Sequence, residues 1–148
     1  MNLEGPQFVN TDNHYDPIDL SKSFLSKKTL PNQVSIQEGF NVELFEVNKN
    51  LAFIKNFGNV AVFKNGTSAL LIDTGMGVSS VQVVSKLKEW GIKNVDFIIY
   101  THGHVDHVTG TDYIINAFEN KDTKVIGHKN IVNRFDPVSY THLTLPTT

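Results

Sequence analysis

Within the seven residues Thr101-His102-Gly103-His104-Val105-Asp106-His107 stand three of the six histidines of the chain and one aspartate. Imidazole nitrogens and carboxylate oxygens are donors that zinc, iron and manganese accept. In an extended or loop backbone, side chains two positions apart point the same way, so His102 and His104 are placed to grip one ion. Asp106 and His107 lie too near to join that geometry easily and turn to a neighbouring site, so two adjacent metals are sterically feasible. A lone surface histidine needs no function. Four such groups after an apolar strand do, because clustering them costs on the order of several kcal/mol unless a metal or hydrogen bonds compensate. The 148-residue chain has no cysteine, which removes disulfides, thiolate metal sites and cysteine nucleophiles. Any metal must be held by histidine and carboxylate.

These residues need a scaffold. Forty per cent of the chain is hydrophobic and 19% charged, enough apolar content for one packed domain and too much for wholesale disorder. Residues 1–38 read as a polar lead-in broken by Pro6, Pro17 and Pro31. Short runs of β-formers follow at Val42 to Val47, Leu51 to Phe57, Asn59 to Lys64 and Ser68 to Ile72, with the turn dipeptide Asn65-Gly66 between the last two. A β-meander is expected. Past Asp73-Thr74-Gly75 the period lengthens: Val83, Val84, Leu87 and Trp90 mark a helix with Ser79 or Ser80 as cap and Gly91 as stop. Val95 to Tyr100, interrupted only by Asp96, reads as an apolar run of the kind covered on both faces. Thr111 is placed to cap a second helix carrying Ile114, Ile115 and Phe118 and ending near Asn120, and Thr123 to Ile126 reads as a last short strand. The fold class is α/β: a meander, then helix and strand in alternation. Residues 137–148 lack either periodicity and read either as a non-native tail or as an edge strand ending at Pro146, leaving 39–136 as the body.

THGHVDHVTG at Thr101 to Gly110 resembles the signature loop of the metallo-β-lactamase-fold hydrolase superfamily, and LLIDTG at Leu70 to Gly75 resembles its upstream strand-turn motif. The resemblance covers about Val42 to Asp136 and corresponds to the first half of a four-layer αββα sandwich. It implies that His102 and His104 bind a first metal, that Asp106 and His107 bind a second, and that Asp106 also orients the nucleophilic water. Asp73 would steady the ligand loop without touching metal. The second half of such a domain supplies a third histidine, a bridging carboxylate and a last histidine, none visible here. His128 ends a strand near where relatives place the rim of the site. His142 falls in the tail and His14 in the lead-in, and neither is expected to bind metal. Gly127 to Asp136, GHKNIVNRFD, is weakly similar to the alkyl-sulfatase-like branch.

The function so implied is a metal-dependent hydrolase with two zinc ions, or iron or manganese, activating water against an ester, thioester, lactone, sulfate or phosphoester of a small-molecule substrate. The alternatives are an iron-dependent redox member of the same fold and an inactive, self-associating half-domain. Thirteen Lys and Arg against 15 Asp and Glu give a net charge of -2, so no general field recruits nucleic acid. No run approaches the roughly 20 apolar residues of a membrane span and the N-terminus does not read as a signal peptide, which makes the cytoplasm the default location.

Overall fold

The computed structural model describes residues 41–118 and 122–135, together with Asp19, Lys22, Ser23, Leu25 and Ser26. The expected polar lead-in and the expected tail, with His14 and His142, lie outside the described residues apart from those five. Strands β1 (Glu43–Asn48), β2 (Leu51–Lys55), β3 (Val60–Asn65) and β4 (Ser68–Ile72) form an antiparallel meander. Gly66, at φ 62°, makes the tight turn between β3 and β4 that Asn65-Gly66 predicts. After β4 come a 3-10 turn (Gly77–Ser79), helix α1 (Ser80–Glu89) and strand β5 (Asn94–Ile99), parallel to β4. A one-turn helix α2 (Val105–Val108), helix α3 (Thr111–Ala117) and strand β6 (Lys124–Ile126), parallel to β5, follow. A 3-10 turn (Lys129–Ile131) and α4 (Val132–Phe135) end the described chain. The six strands form one sheet in sequence order.

Alternation along the strands builds one core. Ala52, Ile54, Val60, Val62, Leu71 and Ile98 point to one face and pack against Val83, Val84 and Leu87 of α1 and Ile114 and Phe118 near α3. The opposite face is also apolar. Leu51, Phe63, Leu70 and Phe97 stand in register across four strands. Phe53, Ala61, Ile72 and Ile99 form a second row beside them. None of these eight is fully buried and none belongs to the core cluster.

Four local expectations change. β5 is buried on one face only, because Val95 and Ile98 meet the helices whereas Phe97 and Ile99 do not. Ser79 takes the N-cap position of α1 as expected, but makes no side-chain cap bond there; its hydroxyl donates to the Met76 carbonyl at 2.8 Å. Thr111 is the first residue of α3 rather than its cap, and its hydroxyl donates to the Val108 carbonyl at 2.8 Å. The second half of the histidine segment is helical rather than loop, since α2 carries both Asp106 and His107.

Candidate metal centre

Parallel strands that end side by side leave their carboxyl ends open, and loops leaving those ends meet there. β4 ends at Ile72 and β5 at Ile99, a paired position in the ladder, so Asp73 and Thr101 emerge as neighbours. The Asp73 amide donates to the Ile99 carbonyl at 2.8 Å, which continues the ladder one step into the turn. Asp73 then takes φ 62°, a left-handed conformation unfavourable for a residue with a Cβ. That conformation is held by what the carboxylate accepts. Asp73 is 4% exposed; its Oδ1 takes the Thr101 amide at 2.8 Å, and its Oδ2 takes the Thr101 hydroxyl at 2.7 Å and His107 Nδ1 at 2.8 Å.

Those contacts assign protons. An ionised carboxylate only accepts, so His107 Nδ1 carries a hydrogen, and in the neutral ring Nε2 keeps the lone pair. Thr101 has one hydroxyl proton and gives it to Asp73. Its oxygen therefore accepts from His102 Nδ1, 2.9 Å away, and His102 too is left with a bare Nε2. Both imidazoles are held in the tautomer that offers Nε2 as a donor to a cation.

The three rings converge on His102. Its centroid lies 4.5 Å from that of His104 and 4.1 Å from that of His107. His107 Nε2 faces Asp106 Oδ2 at 3.3 Å. A proton or a metal cation held between Nε2 and the carboxylate oxygen would satisfy both. His107 and Asp106 side chains keep 23% and 21% of their exposure, and His104 is open to solvent. The donor types and tautomers fit zinc. Among the described residues, no three histidine, aspartate or glutamate side chains are grouped closely enough to hold a metal ion as they stand.

Packing beneath the loop fixes its backbone. The Thr74 amide and hydroxyl both donate to the His107 carbonyl, at 2.8 Å and 3.0 Å. The Gly77 amide donates to Thr109 Oγ1 at 2.9 Å. On the other side the turn between β2 and β3 presses on α2: a Cβ placed on Gly58 would overlap the Asp106 carbonyl. That turn is itself pinned by buried Asn56, whose Nδ2 donates to Ser79 Oγ at 2.8 Å. Thr101, Gly58 and Asn56 escaped the sequence reading. Thr101 had a signal, its place beside the first histidine; Gly58 had none, being 48 positions from Asp106.

His128 stands apart from this network. It is exposed and caps the 3-10 turn that follows it, with Nδ1 accepting the Asn130 amide at 3.2 Å.

A family model described as the metallo-beta-lactamase superfamily matches residues 54–144. The chain belongs to that superfamily. Among curated proteins, it is 38% identical over 60 residues to ribonuclease Z of Lachnospira eligens, a match covering 40% of this chain and 18% of that protein. It is 40% identical over 58 residues to a probable metallo-hydrolase of Methanocaldococcus jannaschii, covering 39% and 28% respectively. Among solved structures, a metallo-β-lactamase of Cronobacter sakazakii with a HARLDQ motif superposes with a TM-score of 0.58 at 15% identity, over 66% of this chain and 36% of that one. The chain thus spans well under half the length of these relatives. Its six-stranded mixed sheet with helices on one face is part of the superfamily's α/β fold. The resemblance of Gly127 to Asp136 to the alkyl-sulfatase-like branch gains no support from these proteins.

Proposed function

We propose that this chain carries the metal-gripping loop of a metallo-β-lactamase-fold hydrolase, with His102, His104, Asp106 and His107 as ligands. The observation that carries the reading is the convergence of donors: the His102 ring lies 4.5 Å from His104 and 4.1 Å from His107, and His107 Nε2 and Asp106 Oδ2 stand 3.3 Å apart while Asp73 holds His107 through Nδ1. His102 and His104 are assigned to one ion, and Asp106 and His107 to a second. Zinc bound there would supply Lewis-acid polarisation of a substrate and a water acidic enough to ionise near neutral pH. Iron and manganese accept the same donors.

The protein's own contribution is orientation. Asp73 and Thr101 hold two imidazoles in one tautomer, and the turn carrying Gly58 buttresses the backbone of Asp106. The Asp106 carboxylate, part-exposed and not committed to a backbone amide in a cap, is the group placed to orient water. For the substrate, the ribonuclease Z relatives make a phosphodiester the first class to try, with esters, thioesters, lactones and sulfates beside it. The balance of 13 basic and 15 acidic residues gives no general polyanion-binding surface, so an RNA substrate would need a local site.

The test is zinc content and hydrolysis of a phosphodiester, ester and thioester panel by the protein that carries this chain, beside its His102→Ala and His104→Ala variants. Joint loss of metal and turnover in both variants is expected. A parent protein that retains no metal and turns over nothing in the panel would sink the proposal.

A further inference from the structure

We infer that Thr111 is a positioning residue for the metal centre: its hydroxyl, supplied with a proton by Tyr100, sets the placement of α2 and so of Asp106 and His107. The inference rests on the reading of those two side chains as ligands of a second ion. It starts from the shortness of α2. Four residues make one turn, too few for a helix that stands by itself, so contacts from outside must hold it. The carbonyls of His104 and Val105 are taken by the amides of His107 and Thr109. Those of His107 and Val108, at the C-terminal end, lack helical partners and find threonine hydroxyls instead, Thr74 Oγ1 at 3.0 Å and Thr111 Oγ1 at 2.8 Å.

A threonine hydroxyl bonded to the carbonyl three residues back is by itself a common local device. Proton counting shows more here. Thr74 spends its one hydroxyl hydrogen on His107, and Thr111 spends its own on Val108. The two threonine oxygens, 3.3 Å apart, therefore have no hydrogen between them. Tyr100 Oη, 2.6 Å from Thr111 Oγ1, must then be the donor of that contact. The phenol thus fixes the direction in which the Thr111 hydrogen leaves, toward Val108. Its own base is firm: the Tyr100 amide donates to the Ile126 carbonyl at 2.8 Å, and its ring packs on the core. Thr111 and Thr74 are buried, so a hydroxyl removed there is poorly replaced by water. The end of β5, the start of α3 and the turn after β4 thereby meet beneath one turn of helix. Ligand geometry tolerates displacements of only about 0.5 Å, and Thr111 acts on it through the backbone of Val108, one residue beyond His107. His102 hangs on Thr101 instead, so a change at Thr111 falls on the Asp106 and His107 pair.

The experiment compares Thr111→Val, Thr111→Ser and Tyr100→Phe in the protein that carries this chain. Valine keeps the shape and removes the hydroxyl, leaving the Val108 carbonyl and the Tyr100 phenol unpaired. In metal-free protein, NMR hydrogen exchange of the Thr74 amide and of His107 Nδ1–H is expected to quicken about tenfold in Thr111→Val, while amides of β4 and β5 keep parent rates. In stepwise zinc titration the second ion is expected to bind roughly 10- to 100-fold more weakly and the first as in the parent. Thr111→Ser restores both readouts, and Tyr100→Phe moves both the same way by less. Should Thr111→Val fail to fold, Tyr100→Phe, which keeps the ring, carries the comparison. Parent-like exchange at Thr74 and His107 in the folded variants overturns the inference. A uniform rise across the sheet, the mark of lost overall stability alone, or a serine variant no better than valine overturns it as well. A parent that takes up no zinc sinks the metal reading instead, and the exchange rates, measured without metal, decide the placement of α2 by Thr111 independently.

Discussion

Asp73 accepts the Nδ1 hydrogen of His107 across 34 residues of sequence at 2.8 Å. The bond joins the turn after β4 to the helical turn after β5, and one buried carboxylate thereby sets both the left-handed backbone of its own turn and the tautomer of a proposed ligand. Position and protonation are coupled through a single side chain.

Asp73→Asn tests that coupling. The amide can accept one hydrogen at its oxygen but turns an NH2 toward the donors that Asp73 now receives, so His107 loses the preference for its Nδ1–H form. Nitrogen NMR should show His107 moving to the Nε2–H tautomer, which removes its donor lone pair. Zinc affinity of the protein carrying this chain should fall roughly 10- to 100-fold. An unchanged tautomer and affinity would reduce Asp73 to a turn residue.

Gly58 and Gly66 separate two reasons for glycine. Gly66 has positive φ and open space around it, so Gly66→Ala should cost only about 1 kcal/mol. Gly58 lies against the Asp106 backbone, which cannot give way as a flexible side chain would. Gly58→Ala should cost about 1 to 3 kcal/mol and weaken metal binding as well, through displacement of Asp106. Urea denaturation and zinc competition measure the two effects. Equal stability losses, with zinc affinity untouched in both variants, would refute the brace.

What the sequence made legible was local. The meander came from period-two alternation, the β3–β4 hairpin from Asn65-Gly66, α1 from Val83, Val84 and Leu87, and the candidate ligands from their spacing. The misplacements arise where local pattern gives way to contact at a distance. VDFII is apolar at every position but Asp96 and shows no alternation, so its pattern does not reveal that helices cover Val95 and Ile98 while Phe97 and Ile99 stay uncovered. The four residues of α2 are too few to show a helical period. Ser79 looked like a cap because serine favours caps, yet its hydroxyl is engaged by Asn56 and Met76. Asp73 was legible as a partner of the loop, but its effect on two histidine tautomers rests on the position of Thr101 Oγ1, which no spacing rule supplies.

Leu87 and Val81 share α1 but not an environment, being 0% and 58% exposed. Leu87→Ala leaves a void between helix and sheet and should cost about 2 to 5 kcal/mol. Val81→Ala should change stability by no more than about 0.5 kcal/mol. Chemical denaturation of both variants checks whether the buried helix face carries the fold; similar losses would contradict the core described above.

Tyr100 gives the fold a dependence on alkaline pH. Burial is the main cause that raises its pKa, nearby Asp112 and Asp73 raise it further, and the hydrogen bond with Thr111 at 2.6 Å opposes them. The folded chain therefore keeps the phenol proton at a pH where the unfolded chain, with a tyrosine pKa of about 10, has lost it. The folded state binds more protons in that window, so stability falls as pH rises. The contribution is fully present below the unfolded value and disappears as pH climbs through the folded one. Tyr100→Phe removes the ionisation and keeps the ring. Its unfolding free energy, followed by urea denaturation between about pH 9 and 11, should decline less steeply than that of the parent. Parallel declines would mean that Tyr100 titrates alike in both states and that its burial has no part in alkaline stability.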